Sequence, residues 1–312
     1  MRVLVVTNIT PDERVPGRGS FVRDQVEGLR AVGVDAELLS FPVGKSHYAP
    51  AVRQIRRRLR AERFDLVHAH YGLAGWCARL AGARPLVVTF HGTDVRHPIG
   101  GRLSQRLAKR VDLVAGASVA LFGPEGGRPG LPREPGVDAV LPCGADLDRF
   151  VPTPRPAARR ALGLDPDGRY LLFPAAPARP EKRHDRAVEL ARAAGAELIA
   201  LGSAASERMP DWVNAANAVL ITSDNEGFGL AAVEALACDV PVLSTPVGIA
   251  APLLAGVAGC LVAPYEAESW AALARRHLDD DDPRVMGRTR ATWFSARAMA
   301  ERVAVAYREL LE

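Results

Sequence analysis

Short apolar runs rich in Val, Leu and Ile recur along this chain, separated by segments whose apolar residues return every three or four positions. Buried strands alternating with amphipathic helices are the signature of βαβ units and a parallel sheet. In the first half, strands are expected at Arg2–Thr7, Ala36–Ser40, Leu66–Ala69, Leu86–Phe90, Leu113–Ala115 and Ala139–Leu141. Helices fall among them at Phe21–Ala31, Ala51–Ala61, Leu73–Ala81 and Arg102–Arg110. The alternation breaks at Val151-Pro-Thr-Pro-Arg-Pro156, a stretch short of backbone donors, and then restarts. The second series of strands is Tyr170–Phe173, Glu197–Leu201, Ala218–Thr222, Pro241–Ser244 and Cys260–Val262. Its helices are His184–Ala194, Gly229–Cys238, Glu266–Leu278 and Ala296–Leu311. A chain of 312 residues is too long for one ordinary domain and suits two. The expected architecture is α/β: two Rossmann-like parallel-sheet domains joined by a proline hinge and facing a cleft. In such sheets ligands bind beyond the carboxyl ends of the strands, so polar residues that follow strands are the candidates for function.

Composition narrows the class. The four cysteines (Cys77, Cys143, Cys238, Cys260) form no C-x-x-C pair, which suggests neither a zinc site nor a disulfide framework and fits a reducing, cytoplasmic location. No apolar run approaches the roughly 18 residues of a membrane span. The opening Met-Arg-Val-Leu-Val-Val-Thr turns polar at once and reads as a first strand, not a signal peptide. Charge is uneven. Residues 1–150 hold 22 Lys and Arg against 15 Asp and Glu, a balance of +7, whereas residues 151–312 hold 18 against 21, a balance of −3. The two halves are therefore expected to meet different partners.

The most informative segment is Ser223-Asp-Asn-Glu-Gly-Phe-Gly-Leu-Ala-Ala-Val-Glu-Ala-Leu-Ala-Cys238. A strand ends, Gly227 and Gly229 permit a tight turn, and a helix begins near Gly229. Backbone N–H groups at a helix start suit a phosphate or another anion. From Leu230 to Cys238 the helix is apolar or small on every face, so it should be buried, with Glu234 its only charge. A buried carboxylate is costly unless it meets donors, and ligand hydroxyls are one source. Glu226 lies eight residues earlier, at most about 12 Å away in a helix. That spacing would let one glutamate hold a sugar and the other a ribose, with a pyrophosphate at the glycines between. The plainer alternative makes Glu226 a loop carboxylate and Glu234 a core residue paired with backbone or an arginine.

A second cluster, Arg179-Pro-Glu-Lys182-Arg-His-Asp-Arg186, follows the first strand of the second half. Arg179 and Lys182 in a turn would neutralise a leaving diphosphate; the alternative is a solvated basic turn. Arg183 and Arg186 are expected to face solvent. Gly17-Arg-Gly19-Ser-Phe-Val lacks the third glycine of the dinucleotide fingerprint and fits a loop over a diphosphate or acceptor, with Ser20 as an N-cap. His68 and His70 end one strand and His91 follows the next; no metal-ligand spacing accompanies them, and His68 and His70 are read as structural residues at the sheet edge. Ala51 to Arg63 forms a basic amphipathic helix with Val52, Ile55 and Leu59 on one face. Either that stripe packs on the sheet with its arginines in water, or the helix, with Arg102, Arg106, Lys109 and Arg110, meets an anionic membrane or an anionic acceptor. Nucleic acid is not expected, because no aromatic residue interleaves these arginines.

Glu226-x7-Glu234, set within Asn-Glu-Gly-Phe-Gly-Leu and followed by Ala-Cys-Asp-Val-Pro-Val, resembles the E-x7-E signature of family 4 glycosyltransferases. The Gly17–Val22 loop, Asp65-Leu-Val-His-Ala-His70, Val88-Thr-Phe-His-Gly-Thr-Asp94, Leu141-Pro-Cys-Gly-Ala-Asp-Leu-Asp-Arg-Phe150 and the terminal Tyr307-Arg-Glu-Leu-Leu are similar as well. The resemblance implies the GT-B fold: residues 1–150 as an acceptor domain, 151–295 as a nucleotide-sugar domain, and a helix over 296–312 crossing back to the first. It implies a retaining transfer from a nucleoside-diphosphate sugar to a hydroxyl acceptor. Glu234 would hold the ribose, Glu226 and His91 the donor sugar, and Arg179 and Lys182 the diphosphate. Gly17, Gly19, Gly227, Phe228, Gly229 and Leu230 would complete the donor site. No cofactor or metal is implied, and Asp146-Leu-Asp148 and Asp279-Asp-Asp-Asp282 are read as loops, not metal sites. Relatives carry a longer insertion between the strands at Glu197–Leu201 and Ala218–Thr222, so one βα unit of the second domain is expected to be missing. Two rival readings keep the same cleft: a sugar-nucleotide epimerase or hydrolase, and a catalytically silent sugar-nucleotide or glycan-binding protein.

Overall fold

A computed structural model of the chain describes residues 1–9, 19–117, 138–202, 206–282 and 284–312. They form two compact units, the first from the N-terminal portion through Gly144 together with Ala296–Glu312, the second from Ala145–Ser295.

The first unit holds six parallel strands, β1 (Arg2–Thr7), β2 (Asp35–Ser40), β3 (Leu66–His70), β4 (Leu86–Phe90), β5 (Leu113–Gly116) and β6 (Ala139–Val140), in the order β2-β1-β3-β4-β5-β6. Between them run α1 (Ser20–Ala31), α2 (Lys45–Ala61), α3 (Gly72–Ala81), α4 (Thr93–Arg96) and α5 (Pro98–Ala108). Every residue of β3 and β4 is buried. A parallel sheet covered on both faces needs such continuous apolar strands. β3 lies between β1 and β4, so His68 and His70 sit inside the sheet and not at its edge. α2 buries Ala51 and Ile55, leaves Val52 and Leu59 half-buried, and turns Arg53, Arg56, Arg57 and Arg60 outward.

The second unit holds β7 (Tyr170–Phe173), β8 (Glu197–Ala200), β9 (Ala218–Ile221), β10 (Val242–Ser244) and β11 (Leu261–Val262), all parallel, in the order β11-β10-β9-β7-β8. Its helices are α6 (Arg155–Leu162), α7 (His184–Ala194), α8 (Met209–Ala215), α9 (Leu230–Ala237), α10 (Ala250–Leu254), α11 (Ala267–Leu278) and α12 (Arg288–Ala291). Against the full doubly wound order 3-2-1-4-5-6, the third strand is absent among the described residues and β8 becomes an edge. The link from β8 to β9 is not featureless, however, because α8 lies within it.

The last helix, α13 (Ala296–Leu311), belongs to the first unit and packs beside α1. Met299, Val303 and Tyr307 join Val3, Val5, Leu66 and Val87 in one core. A Cβ on Gly28 of α1 would lie 3.2 Å from both the Ala296 carbonyl oxygen and the Ala300 Cβ, so the two helices touch where α1 has no side chain.

The proline stretch expected as a hinge is fastened to the second unit. Asn214 of α8 accepts from the Thr153 N–H at 2.8 Å and donates to the Val151 carbonyl at 2.9 Å. Arg284 donates to the Thr153 carbonyl at 2.6 Å and the Cys238 carbonyl at 2.8 Å. Arg155, fully buried, reaches the carbonyls of Ala216 and Asp281, and burial brings its pKa down to about 10, still charged at neutral pH. Arg288 donates to the carbonyls of Leu147, Phe150 and Ala237 at 2.7, 2.6 and 2.5 Å. These guanidinium groups satisfy carbonyls that would otherwise be buried without donors. Replacing Arg288 with Leu should therefore destabilise the second unit by about 3 kcal/mol. Urea unfolding followed at the tryptophans would show it as a lower midpoint, and an unchanged midpoint would refute the assigned role.

Candidate active site

In the second unit, buried hydroxyls at the ends of β9 and β10 clamp three loops together. Thr222 Oγ1 lies 3.1 Å from the Lys182 carbonyl and 2.9 Å from that of Arg183, and the Asp224 N–H donates to the Glu181 carbonyl at 2.9 Å. Thr245 Oγ1 donates to the Ser223 carbonyl at 2.6 Å. The result is a close ion pair: Lys182 Nζ stands 2.5 Å from Glu226 Oε2, with side-chain exposures of only 9% and 15%. Ser223 Oγ donates to the other oxygen, Glu226 Oε1, at 2.8 Å.

The loop bearing Glu226 is held from below by Gly248, a residue the sequence reading passed over. Its φ is +55°, and a Cβ there would fall 2.1 Å from the Phe228 carbonyl oxygen and 3.0 Å from the Glu226 Cβ. The Ile249 N–H donates to that same carbonyl at 2.7 Å. The available signal was Thr245-Pro-Val-Gly248 directly after a strand, but only the close approach shows why glycine is required. Phe228 is buried, its ring 5.9 Å from that of Phe294.

Gly229, at φ +94°, caps α9 with no side chain. α9 is not buried all round as its composition suggested: Ala232, Val233, Ala235, Leu236 and Ala237 are buried, but Leu230, Ala231 and Glu234 are half-exposed. The helix start and Glu234, one turn further on, therefore share its open side. Gly227 is half-exposed as well.

The two cations expected to act together are separated. Arg179 is about half exposed and pairs with Glu181 at 2.6 Å, because the 3₁₀ turn Pro180–Lys182 sends Lys182 inward and leaves Arg179 outside. Arg186 does not face solvent as expected. It donates to the Thr222 carbonyl at 3.0 Å, pairs with Asp224 at 2.8 Å and lies over the Tyr265 ring, which braces the Glu226 loop. Arg183 is partly covered and pairs with Asp185 and Asp224.

In the first unit, the half-buried His91 follows β4. Asp94, another residue given no role by the sequence reading, holds the turn by accepting from the N–H groups of Gly92, His91 and Gly72 at 2.9, 3.1 and 3.2 Å. His91 Nε2 lies 2.9 Å from His70 Nδ1, and the rings of Phe21 and Tyr71 flank His91 at 4.8 and 4.6 Å. His68 Nδ1 meets the Tyr307 hydroxyl of α13 at 2.6 Å, and its Nε2 meets Thr89 Oγ1 at 2.7 Å. Among the described residues no group of three or more His, Cys, Asp or Glu is arranged to hold a metal ion. Asp146 is engaged locally, accepting from the N–H groups of Asp148 and Arg149.

Gly17 lies outside the described residues. Gly19, at φ +75°, occupies the cap position of α1 that was expected for Ser20, since a Cβ there would come within 2.7 Å of Ile9 Cγ2.

Both units match known protein families. The description Glycosyltransferase Family 4 matches residues 2–149, and Glycosyl transferases group 1 matches residues 175–280, a span that holds Lys182, Glu226 and α9. The D-inositol 3-phosphate glycosyltransferase of Thermobispora bispora is 30% identical over 80% of this chain and 72% of its own. The chain belongs to the family 4 glycosyltransferases. Its fold is that of GT-B enzymes. The sucrose-phosphate synthase of Thermosynechococcus elongatus superposes with a TM-score of 0.71 at 18% identity, covering 99% of both chains. Anabaena HepE, solved in complex with UDP and glucose, also gives 0.71, at 17% identity over 99% of this chain and 100% of its own. Among the described residues no helix is long and apolar enough to cross a membrane.

Burial sets the protonation of the first unit's polar cluster. It holds His70 neutral, with a pKa of about 3, and depresses His68 and His91 well below the usual imidazole range. It pushes the Asp94 carboxyl up to about 6 against the opposing pull of four backbone N–H groups, those of Gly92, His91, Gly72 and Asp94 itself. Histidines in the unfolded chain take up protons below about pH 6.5 and the buried ones do not, so their contribution is present above that pH and lost as pH falls. Asp94 acts oppositely, because the folded carboxyl protonates first and its contribution is lost as pH rises from about 4 to 6. Three histidines outweigh one aspartate. Acidification from pH 7 to 5 should therefore destabilise the first unit on balance, Asp94 offsetting only part of what the histidines lose. Calorimetry across that range should show the melting temperature falling, less steeply in His68→Gln; a flat profile would contradict the assignment.

Proposed function

We propose that this glycosyltransferase moves a sugar from a nucleoside-diphosphate sugar to a hydroxyl acceptor with retention at the anomeric carbon. The observation that carries the reading is the buried Lys182–Glu226 pair beside the uncapped start of α9. A diphosphate seated on the α9 N-terminus gains the backbone N–H groups and the favourable end of the helix dipole. Lys182, a compact ammonium already desolvated, then stabilises charge as the bond between the anomeric carbon and the diphosphate oxygen breaks. The acceptor oxygen forms the new bond to that carbon, and its proton leaves on the diphosphate. Glu226, oriented by Ser223, accepts from sugar hydroxyls, and Glu234 accepts from the ribose. His91 contacts the sugar. Arg179, free to leave its exposed pairing with Glu181 at little cost, adds to the diphosphate charge balance. Cationic groups and helix dipole suffice in this scheme, and no metal takes part.

The chain's relatives are named D-inositol 3-phosphate glycosyltransferases, which makes an anionic polyol the first acceptor to try, and HepE, solved with UDP, shares the fold, which favours a nucleotide-sugar donor. In a calorimetric titration with UDP, Glu234→Ala should bind about tenfold more weakly, the loss of one charge-assisted hydrogen bond. Lys182→Ala should lower kcat about 100-fold with a smaller change in KM. Near-parent values in both variants would overturn the site. NMR of the products separates the rivals: an acceptor-linked sugar supports transfer, free sugar or an epimerised nucleotide marks the alternative enzymes, and tight binding without turnover marks a silent binder.

The same reading gives the cationic face of the first unit an anionic membrane as partner, reached from the cytoplasmic side. Arg53, Arg56, Arg57 and Arg60 of α2 and Arg102, Arg106, Lys109 and Arg110 on and just after α5 are all exposed, and α3, which packs against both helices, leaves Leu80 open. Each such charge near an anionic surface contributes about 1 kcal/mol. Flotation with vesicles of anionic phospholipid should capture the protein and neutral vesicles should not. Loss of capture is expected when Arg53, Arg56, Arg57 and Arg60 are changed to Gln, and capture indifferent to lipid charge would exclude the membrane.

A further inference from the structure

His70 and His91 share one hydrogen bond, and the surroundings decide which ring donates. Their facing nitrogens, His70 Nδ1 and His91 Nε2, are 2.9 Å apart, so one bears the proton and the other a lone pair. His70 is fully buried, and its second nitrogen, Nε2, has no partner among the described residues. If Nε2 carried the proton, a buried N–H would be left without an acceptor. If Nδ1 carries it, only a lone pair is left bare, and buried orphan donors are the rarer and costlier case. A doubly protonated ring is disfavoured by burial beside two other imidazoles.

We infer that His70 is a positioning residue that donates from Nδ1 to His91 Nε2 and so fixes His91 as the tautomer protonated on Nδ1. His91 has no freedom to choose otherwise: Asp94 holds its backbone N–H, Phe21 and Tyr71 pack on its ring, and Nε2 is committed to His70. The one polar atom the ring has left is then a neutral N–H donor. It suits an oxygen lone pair, a sugar hydroxyl or ring oxygen, and cannot serve as a general base. This use at the donor sugar rests on the transferase reading above; the tautomer itself does not.

The test reads protonation directly. Long-range proton–nitrogen correlation spectra of the full chain, labelled with 15N-histidine and assigned with a His91→Gln variant, should show His91 with a pyrrole-type Nδ1 and a pyridine-type Nε2, without any sugar nucleotide present. In His70→Asn, whose amide places an N–H near the former Nδ1, the His91 pattern should persist. In His70→Phe, which removes the donor and keeps a ring, the two nitrogen resonances of His91 should exchange types, and turnover should fall about tenfold and recover in His70→Asn. A parent protein with His91 protonated on Nε2, or an unchanged His91 pattern in His70→Phe, overturns the inference. Should His70→Phe not fold, the parent and His70→Asn spectra decide it alone.

Discussion

All strands of both sheets run parallel, so in each unit every loop that follows a strand leaves from the same edge. That constraint decides where chemistry can be placed, because backbone groups elsewhere on the sheets are used up in ladders and covered by helices. In the second unit it brings the loops after β7, β9 and β10 together although they are far apart in sequence. Thr222 and Thr245 then do what strand pairing cannot do beyond the last ladder bond: they satisfy loop carbonyls from below and leave the loops only one way to lie. The site is an extension of the sheet by side-chain hydroxyls.

Within that frame Lys182 and Glu226 are an unusual expenditure. Two nearly buried charges give up hydration that their mutual attraction barely restores, and such pairs rarely stabilise a fold compared with apolar packing of the same volume. The pair makes physical sense if a ligand completes it. Glu226 has Ser223 as a second donor, so it stays oriented when the ammonium turns toward a phosphate, and Gly248 supports the loop from beneath whether or not the pair is closed. Arg179 and Glu181 form the contrasting case at the surface, where solvent screens the attraction and the arginine is released cheaply.

The fold was legible wherever local pattern and tertiary packing agree. β1, β4, β7, α7 and α13 occupy the spans expected from periodicity alone. α2 starts at Lys45, six residues before the expected Ala51, because Pro50 reads as a breaker yet stands inside the helix as its sixth residue, where it forgoes one i→i−4 hydrogen bond. α5 starts at Pro98, not Arg102: His97 Nδ1 accepts from the N–H groups of Ile99 and Gly100, a cap that Gly100-Gly101 conceals in the sequence. Glu226 and Glu234 stood out because single charges in apolar surroundings need a reason. The partner of Lys182 lies 44 residues away, and the approach of Gly72 to Asp94, of Phe228 to Gly248 and of His68 to Tyr307 is equally a matter of three dimensions that no one-dimensional spacing encodes.

The shortening of the second unit is informative for the same reason. The strand it lacks would have added to the outside of β8, on the side away from β7 and the loops that hold the ion pair. β7, β9 and β10, which carry Lys182, Glu226 and Gly248, are consecutive and interior, so removing an outer βα unit leaves their register intact. What it exposes is one short edge that begins with Glu197, and a charged, four-residue strand is a poor template for unwanted pairing. A shorter sheet on that side therefore leaves in place the loops after β7, β9 and β10 and the side-chain hydroxyls that fix them.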